Sequence, residues 1–331
     1  MKVIIPLAGF GTRLRPHTYT KPKPLINVAG KPVLGHLLDK IAGLDIDEYI
    51  FIVGYLGDQV EDYVNSEYKL NAHFVEQNEM LGQAHAIWLA REYLDDEPVF
   101  ILFVDTLFET DLTVLNTTKD DAVIFVKEVD DPRAFGVVTL DASGYITGII
   151  EKSSSMDNRL AVIGLYYFKN GSELISAIQE LMDNKIMTKN EYFLADAMDI
   201  MVKRGLKFRT APVSVWLDAG MPKTVLETNR YLLEHGRDNS AEFANNKSMI
   251  IVPPVNIHPT ATITNSVIGP HVTIAAKCTI TSSILRDTIV DEGATCKDTL
   301  LEQSLIGRNA RVEDQYRSIN VGDSSAIGFV G

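Results

Sequence analysis

What most restricts the fold of this chain is an aliphatic residue that returns every six positions towards its carboxyl end. Ile268, Ile274 and Ile280 are six apart, and the same interval separates Val290 from Cys296, Ile306 from Val312 and Val321 from Ile327. Small or turn-forming residues fill the gaps, as in Ile268–Thr273 and Val290–Thr295. Hexads of this kind predict a left-handed parallel β-helix, in which each aliphatic residue points inward and three hexads close one coil. A longer unit recurs at Asn265–Gly269, Gln303–Gly307 and Arg317–Gly322. Residues 251–331 are enough for about four coils. The register slips between Ile280 and Val290, so one corner at least is irregular. Just ahead, Gly236–Ser248 is polar and has almost no apolar periodicity, so a linker is expected over residues 239–250.

Residues 1–238 read differently. Tyr49–Val53, Ala72–Glu76, Val99–Val104, Ala122–Val126 and Gly136–Leu140 are short runs of branched and aromatic residues bounded by polar segments. Between them lie helical stripes: Leu34, Leu37, Leu38 and Ile41; Leu174, Ile178 and Leu181; and Leu194, Ala197, Met198 and Met201. Alternating strand and helix predict an α/β, Rossmann-like domain with a mixed, mainly parallel sheet and ligands at the carboxyl ends of its strands. A chain of 331 residues has room for this domain and the β-helix as separate units.

The amino terminus carries the sharpest chemical signal. Val3–Leu7 suits a buried strand, and Gly9-Phe10-Gly11-Thr12-Arg13 follows it directly. A glycine turn at a strand end lets backbone N–H groups approach anionic oxygens closely. Arg13, Arg15, Lys21 and Lys23 add four cations just beyond, which suits a triphosphate. The dinucleotide fingerprint is excluded because Leu14 stands at its third glycine, and the Gly-Lys-Ser/Thr of a Walker loop is missing. The plain alternative is an ordinary turn with a solvated edge of cations.

Leu7–Arg13 followed by Pro22–Pro32, with Lys23 eight residues before Lys31, resembles the signature of the sugar-1-phosphate nucleotidylyltransferases, or NDP-sugar pyrophosphorylases. Ala8 stands where the usual loop has its first glycine, a departure that favours a pyrimidine nucleotide. The resemblance extends over nearly the whole chain and includes the β-helix. It implies transfer of a nucleotidyl group from an NTP, dTTP or UTP, to a sugar-1-phosphate, glucose-1-phosphate, with release of pyrophosphate. Guanylyl transfer to mannose-1-phosphate and uridylyl transfer to N-acetylglucosamine-1-phosphate are the related alternatives. A non-catalytic regulatory or scaffold subunit is the alternative of another class.

The residues can be assigned to that chemistry. Leu7, Ala8, Gly9, Gly11, Thr12 and Arg13 would bind the nucleotide, with Arg13 gripping the β- and γ-phosphates through its planar fork. Lys23 would stabilise the transition state between the α-phosphate and the sugar phosphate. Mg²⁺ takes oxygen ligands and keeps several waters, so two carboxylates suffice. Asp105 lies at the end of the most hydrophobic strand of the domain, and by resemblance it matches the family's Gly-Asp, with Val104 in place of glycine. Asp218 in Trp216–Pro222 matches a second family element, with Met221 at its threonine. Within Glu76–Ile87, Gln77 would read a base edge and Gly82 would let the base approach backbone, while Trp88 is core and His85 is structural. Phe135–Val138, Ile149–Ser153 and Val162–Phe168 match the family's sugar elements, making Gly136, Glu151 and Lys152 the sugar-phosphate contacts.

A net charge of −13 gives no positive field to steer the chain onto nucleic acid. Two cysteines, Cys278 and Cys296, make a disulfide framework unexpected and fit a cytoplasmic setting. Met1–Ile5 is too short for a signal segment, and no later run approaches the ~20 apolar residues of a membrane span. An exposed β-helix end predicts a homo-oligomer.

Overall fold

The computed structural model describes residues 1–151, 155–156 and 158–314. Lys152, the Val321–Ile327 interval and the Arg317–Gly322 repeat lie outside them. The chain divides into two compact units, Met1–Thr228 and Asn229–Gly331.

In the first unit β1 (Lys2–Pro6) leads through a hairpin of β2 (Asn27–Val28) and β3 (Lys31–Pro32) to α1 (Val33–Ile41). There follow β4 (Glu48–Val53), α2 (Gly57–Glu67), β5 (Ala72–Glu76), α3 (Gln83–Leu89), β6 (Val99–Leu102), β7 (Thr106–Glu109) and α4 (Val114–Thr117). The unit continues with β8 (Ala122–Glu128), β9 (Gly136–Leu140), β10 (Ile146–Glu151), β11 (Leu160–Phe168), α5 (Gly171–Asp183), α6 (Leu194–Lys203), β12 (Phe208–Pro212) and β13 (Val215–Asp218), and its last residue, Thr228, lies within α7 (Pro222–Leu232). The stripes expected on α1, α5 and α6 are buried throughout.

One mixed sheet of nine strands runs β10-β9-β11-β6-β1-β4-β5, with β8 on β11 and β12 on β8. The amino-terminal part is parallel: β1 pairs with β4 and β6, and β4 with β5. Parallel pairing brings the carboxyl ends of β1, β5 and β6 to one edge, where Leu7, Gln77 and Asp105 follow. Strand β11 then runs antiparallel to β6, β8 and β9. Its register breaks between Val162 and Tyr166, at Gly164 with φ 86°. A Cβ there would lie 3.0 Å from the Phe103 ring, so only glycine lets the bulge close on the end of β6.

Over its described residues the second unit forms three four-stranded parallel sheets, the three faces of a left-handed β-helix. One inward column stacks Ile263, Ile280, Cys296 and Val312, and another stacks Ile274, Val290 and Ile306. The period is not uniformly six. Ile280, Leu285 and Val290 face inward at five-residue steps, which is the physical content of the slip seen in the sequence. Corner residues keep step: Asn265, His271, Lys277, Ser282, Asp287, Asp298, Gln303 and Asn309 all take positive φ, as does Gly293. These corners turn on a left-handed residue, a conformation glycine, Asn and Asp tolerate best. The segment expected as a linker is bonded to the first coil: the Asn239 side chain exchanges two 2.9 Å hydrogen bonds with Ile257, and Asp238 accepts from Val255 N at 2.9 Å.

Candidate active site

Construction of the site begins at the glycine turn. After β1, Leu7 N donates to Ile52 O at 2.8 Å, and Ala8 rests on Gly54, where a Cβ would come within 2.7 Å of Ala8 O. Gly11 sits in the left-handed region at φ 61° and opens a single 3₁₀ turn over Thr12–Leu14. A Cβ on Gly11 would lie 3.1 Å from both Lys23 Cβ and Thr18 Cγ2, while Thr18 Oγ1 donates to Gly11 O at 2.9 Å. The turn therefore leans on the segment that carries Lys23 and is held there by the Thr18 side chain. Gly9 has nothing within 4 Å of where its Cβ would be, so its bare backbone faces open space.

The two aspartates, more than a hundred residues apart in sequence, meet through a separate two-stranded sheet. Strands β7 and β13 pair antiparallel with Asp218 opposite Thr106, and Ala219 N donates to Asp105 O at 2.9 Å. Lys23 Nζ bonds Asp105 Oδ2 at 2.7 Å. On the other side, Thr224 Oγ1 donates to Asp218 Oδ2 at 3.0 Å. Gly220 has no side chain between Arg13 and Asp218: its Cβ would lie 2.7 Å from Asp218 Oδ1 and 2.9 Å from Arg13 Nη2. Two cations and two carboxylates thus share one wall.

Two adjoining cavities use that wall. One, about 420 Å³, is bordered by Leu7, Ala8, Gly9, Gly11, Thr12, Arg13, Lys23, Gln77, Gly82, Val104 and Asp105. The other, about 800 Å³, is bordered by Arg13, Asp105, Gly136, Glu151, Trp216 and Asp218. Every site residue expected from the sequence, apart from Lys152, borders one cavity or both.

A family model described as nucleotidyl transferase matches residues 2–235. The chain belongs to the nucleotidyl transferase family. Among similar proteins, a glucose-1-phosphate thymidylyltransferase of Streptomyces griseus is 30% identical, the match covering 94% of this chain and 93% of the relative. A bifunctional protein GlmU of Methanocaldococcus jannaschii is 36% identical over 71% of this chain and 55% of its own length. A solved UDP-glucose pyrophosphorylase, complexed with UDP-glucose, superposes with a TM-score of 0.61 at 22% identity, covering 71% of this chain and 98% of that one. That last likeness is one of fold.

Other parts of the nucleotidyltransferase site carry reasons the sequence did not supply. Gly82 takes φ 103°, and a Cβ would stand 2.6 Å from Tyr192 O, so it is the backbone before α6 that demands glycine here. Strand β6 ends at Leu102 rather than Val104, and Val104 turns inward, buried, beside the smaller cavity. Gly136 sits opposite Glu151 across β9 and β10, its Cβ position 2.8 Å from Glu151 Oε2. Burial first, then the charges of Glu151 and Asp105, push the Tyr166 hydroxyl well above the usual tyrosine range. Tyr166, Glu151 and Asp105 all border the larger cavity. Phe135 and Trp216 meet edge to face, centroids 4.8 Å apart, on the wall of the larger cavity.

Glu191, which borders both cavities, and Thr224, which holds Asp218, were not singled out in the sequence. Thr224 could have been noticed at the start of α7, six residues after Asp218. Glu191 stands in no motif. Among the described residues no cluster of three His, Cys, Asp or Glu side chains could hold a metal, and no helix is long and apolar enough to cross a membrane.

Proposed function

We propose that the protein joins the nucleotidyl group of dTTP or UTP to glucose-1-phosphate, giving an NDP-sugar and pyrophosphate. The observation that carries this reading is the shared wall: Arg13, Lys23, Asp105 and Asp218 converge where a cavity behind the glycine turn meets a second cavity lined by Gly136 and Glu151. A phosphate oxygen of the sugar-1-phosphate attacks the α-phosphorus, a P–O bond forms, and the bond to the bridging α–β oxygen breaks as pyrophosphate leaves. Such a transfer needs two anions held in line and the developing charge stabilised, with no covalent step on the protein.

Arg13 grips the β- and γ-phosphates from the turn, and backbone N–H groups around Gly9 and Gly11 hold the remaining oxygens. Lys23 spans the α-phosphate and the incoming phosphate. Gly136 and Glu151 take the sugar hydroxyls, with Lys152 on the sugar phosphate. Asp105 and Asp218 are an all-oxygen pair, and among the described residues no third His, Cys, Asp or Glu completes a cluster with them, a donor set that suits Mg²⁺, which draws its other ligands from phosphate and water. Bound there, Mg²⁺ would offset negative charge on the phosphate oxygens. The reading also sets the enzyme in the cytoplasm and makes the β-helix a means of self-assembly. Two buried thiols outside any disulfide support the first, and the stacked parallel coils the second.

Pyrophosphate release measured for the common nucleoside triphosphates against several sugar phosphates tests the reading. Turnover is expected with dTTP or UTP and glucose-1-phosphate. No release with any pair would overturn it and leave a non-catalytic assembly subunit. In the same assay Asp218→Asn is expected to raise the magnesium needed for half-maximal rate about tenfold. An unchanged titration would remove Asp218 from the metal site.

A further inference from the structure

We propose that His85 is a positioning residue that fixes the amide of Gln77, so that the nucleotide cavity presents a carbonyl oxygen and selects bases with a ring N–H on their pairing edge. This rests on the reading of the smaller cavity as a nucleotide site. Gln77 is 5% exposed and borders that cavity, and its backbone N–H donates to Val53 O at 2.8 Å, so its main chain is anchored. A primary amide can be turned by half a circle with little change of shape, and the turn exchanges a donor for an acceptor. Something must hold one orientation if the side chain is to discriminate.

Two neighbours do so. Gln77 Nε2 contacts Gly82 O at 3.3 Å and His85 Nδ1 at 3.2 Å. A carbonyl can only accept, and the amide nitrogen has two hydrogens, one for each partner. His85 Nδ1 accepts when the ring proton sits on Nε2. Because the amide nitrogen can only donate, the neutral ring accepts at Nδ1 and carries its proton on Nε2. Burial, opposed by the charge and backbone of Glu79, holds the His85 imidazole below its ordinary pKa and therefore neutral at pH 7. The ring is 9% exposed and lies nearly parallel to Trp88, 18° between planes, so it has little freedom to turn away.

Both amide hydrogens are thus used inside the protein, and among the described residues no donor reaches Gln77 Oε1. That oxygen is left for the ligand. Thymine, uracil and guanine offer an N–H at the matching ring position, whereas cytosine and adenine offer a lone pair, which would face the oxygen unfavourably. UTP and CTP have the same size and differ at this edge, which makes them the cleanest comparison.

The test measures kcat/KM and calorimetric Kd for UTP and CTP in the whole protein with saturating glucose-1-phosphate. Wild type is expected to favour UTP at least about tenfold. His85→Phe keeps a flat ring against Trp88 and removes the acceptor. The UTP-to-CTP ratio should then fall about tenfold, with the change in nucleotide KM and none in the KM for the sugar phosphate. His85→Asn, whose Oδ1 can accept from Gln77, should recover most of the preference. Should the Phe variant fail to fold, His85→Leu gives the same reading. An unchanged ratio in a folded Phe or Leu variant, equal loss in the Asn variant, or equal wild-type Kd values for UTP and CTP would each overturn the proposal. Absent turnover with UTP still bound more tightly than CTP would overturn the transferase reading alone.

Discussion

Lys23 and Asp105 form an ion pair whose side chains are only 15% and 33% exposed, yet the pair closes on an open cavity rather than on packed side chains. Its loss should therefore register in rate more than in stability. Lys23→Ala is expected to lower kcat about 10²–10³-fold, or about 3–4 kcal/mol, as when one preorganised charge donor is removed. The unfolding midpoint should move by no more than a partly exposed ion pair is worth, about 1 kcal/mol. A variant with near-normal turnover would remove Lys23 from the reaction. The sequence made this residue visible because glycine, arginine and lysine recur at a fixed spacing, and spacing survives where shape cannot be seen. Glu191 escaped notice for the converse reason: it reaches both cavities only because Tyr192 is locked against Gly82 and Leu81 by backbone contacts. Gly82 itself was noticed, but its reason was not, since a close approach to residues over a hundred positions away leaves no local mark.

The elements divide by how local their cause is. β5 and β9 follow from branched residues and polar flanks and coincide with the expected spans, and the helical stripes of α1, α5 and α6 are all buried. The antiparallel run of β11 was not legible, because it depends on a glycine bulge fitting against Phe103. The β-helix columns were legible from aliphatic period, and with them the inward place of Cys296. Burial pushes its thiol up to about 11, with the neighbouring Cys278 adding to the effect, and Cys278 is raised by burial as well. The native protein is therefore expected to resist iodoacetamide at pH 8 and to take up label at both cysteines in denaturant, read by mass spectrometry. Rapid labelling of the native state would mean that the coils open readily.

On the scale of the whole molecule, stability should be greatest between neutral pH and about pH 10. The hydrogen bond from Arg133 pulls the Asp131 carboxyl down to about 2, and Asp95 is lowered first by its bond from Lys2. Carboxyls depressed in the fold stabilise it above the ordinary value of about 4, and that contribution disappears as pH falls through the lower one. At the alkaline end, burial raises Tyr68 and Tyr166, so the unfolded chain loses those protons first and stability declines above about pH 10. Urea midpoints measured at pH 2, 4, 7 and 11 check both arms, and a flat profile from 7 to 2 would contradict the first. Neither the strand order of the sheet nor the bonds of Asp238 and Asn239 to the first coil could be foreseen, since both depend on distant partners. The corners of the β-helix, finally, give the two units opposite tolerances to a lost codon. Steps of five and of six residues already occur together along the stack without disturbing its columns, so removing one residue from a longer corner leaves each rung over its neighbour. The same deletion within β1 or β6 would turn the rest of the strand inside out. Evolution can trim the one by single residues, but must replace the other whole.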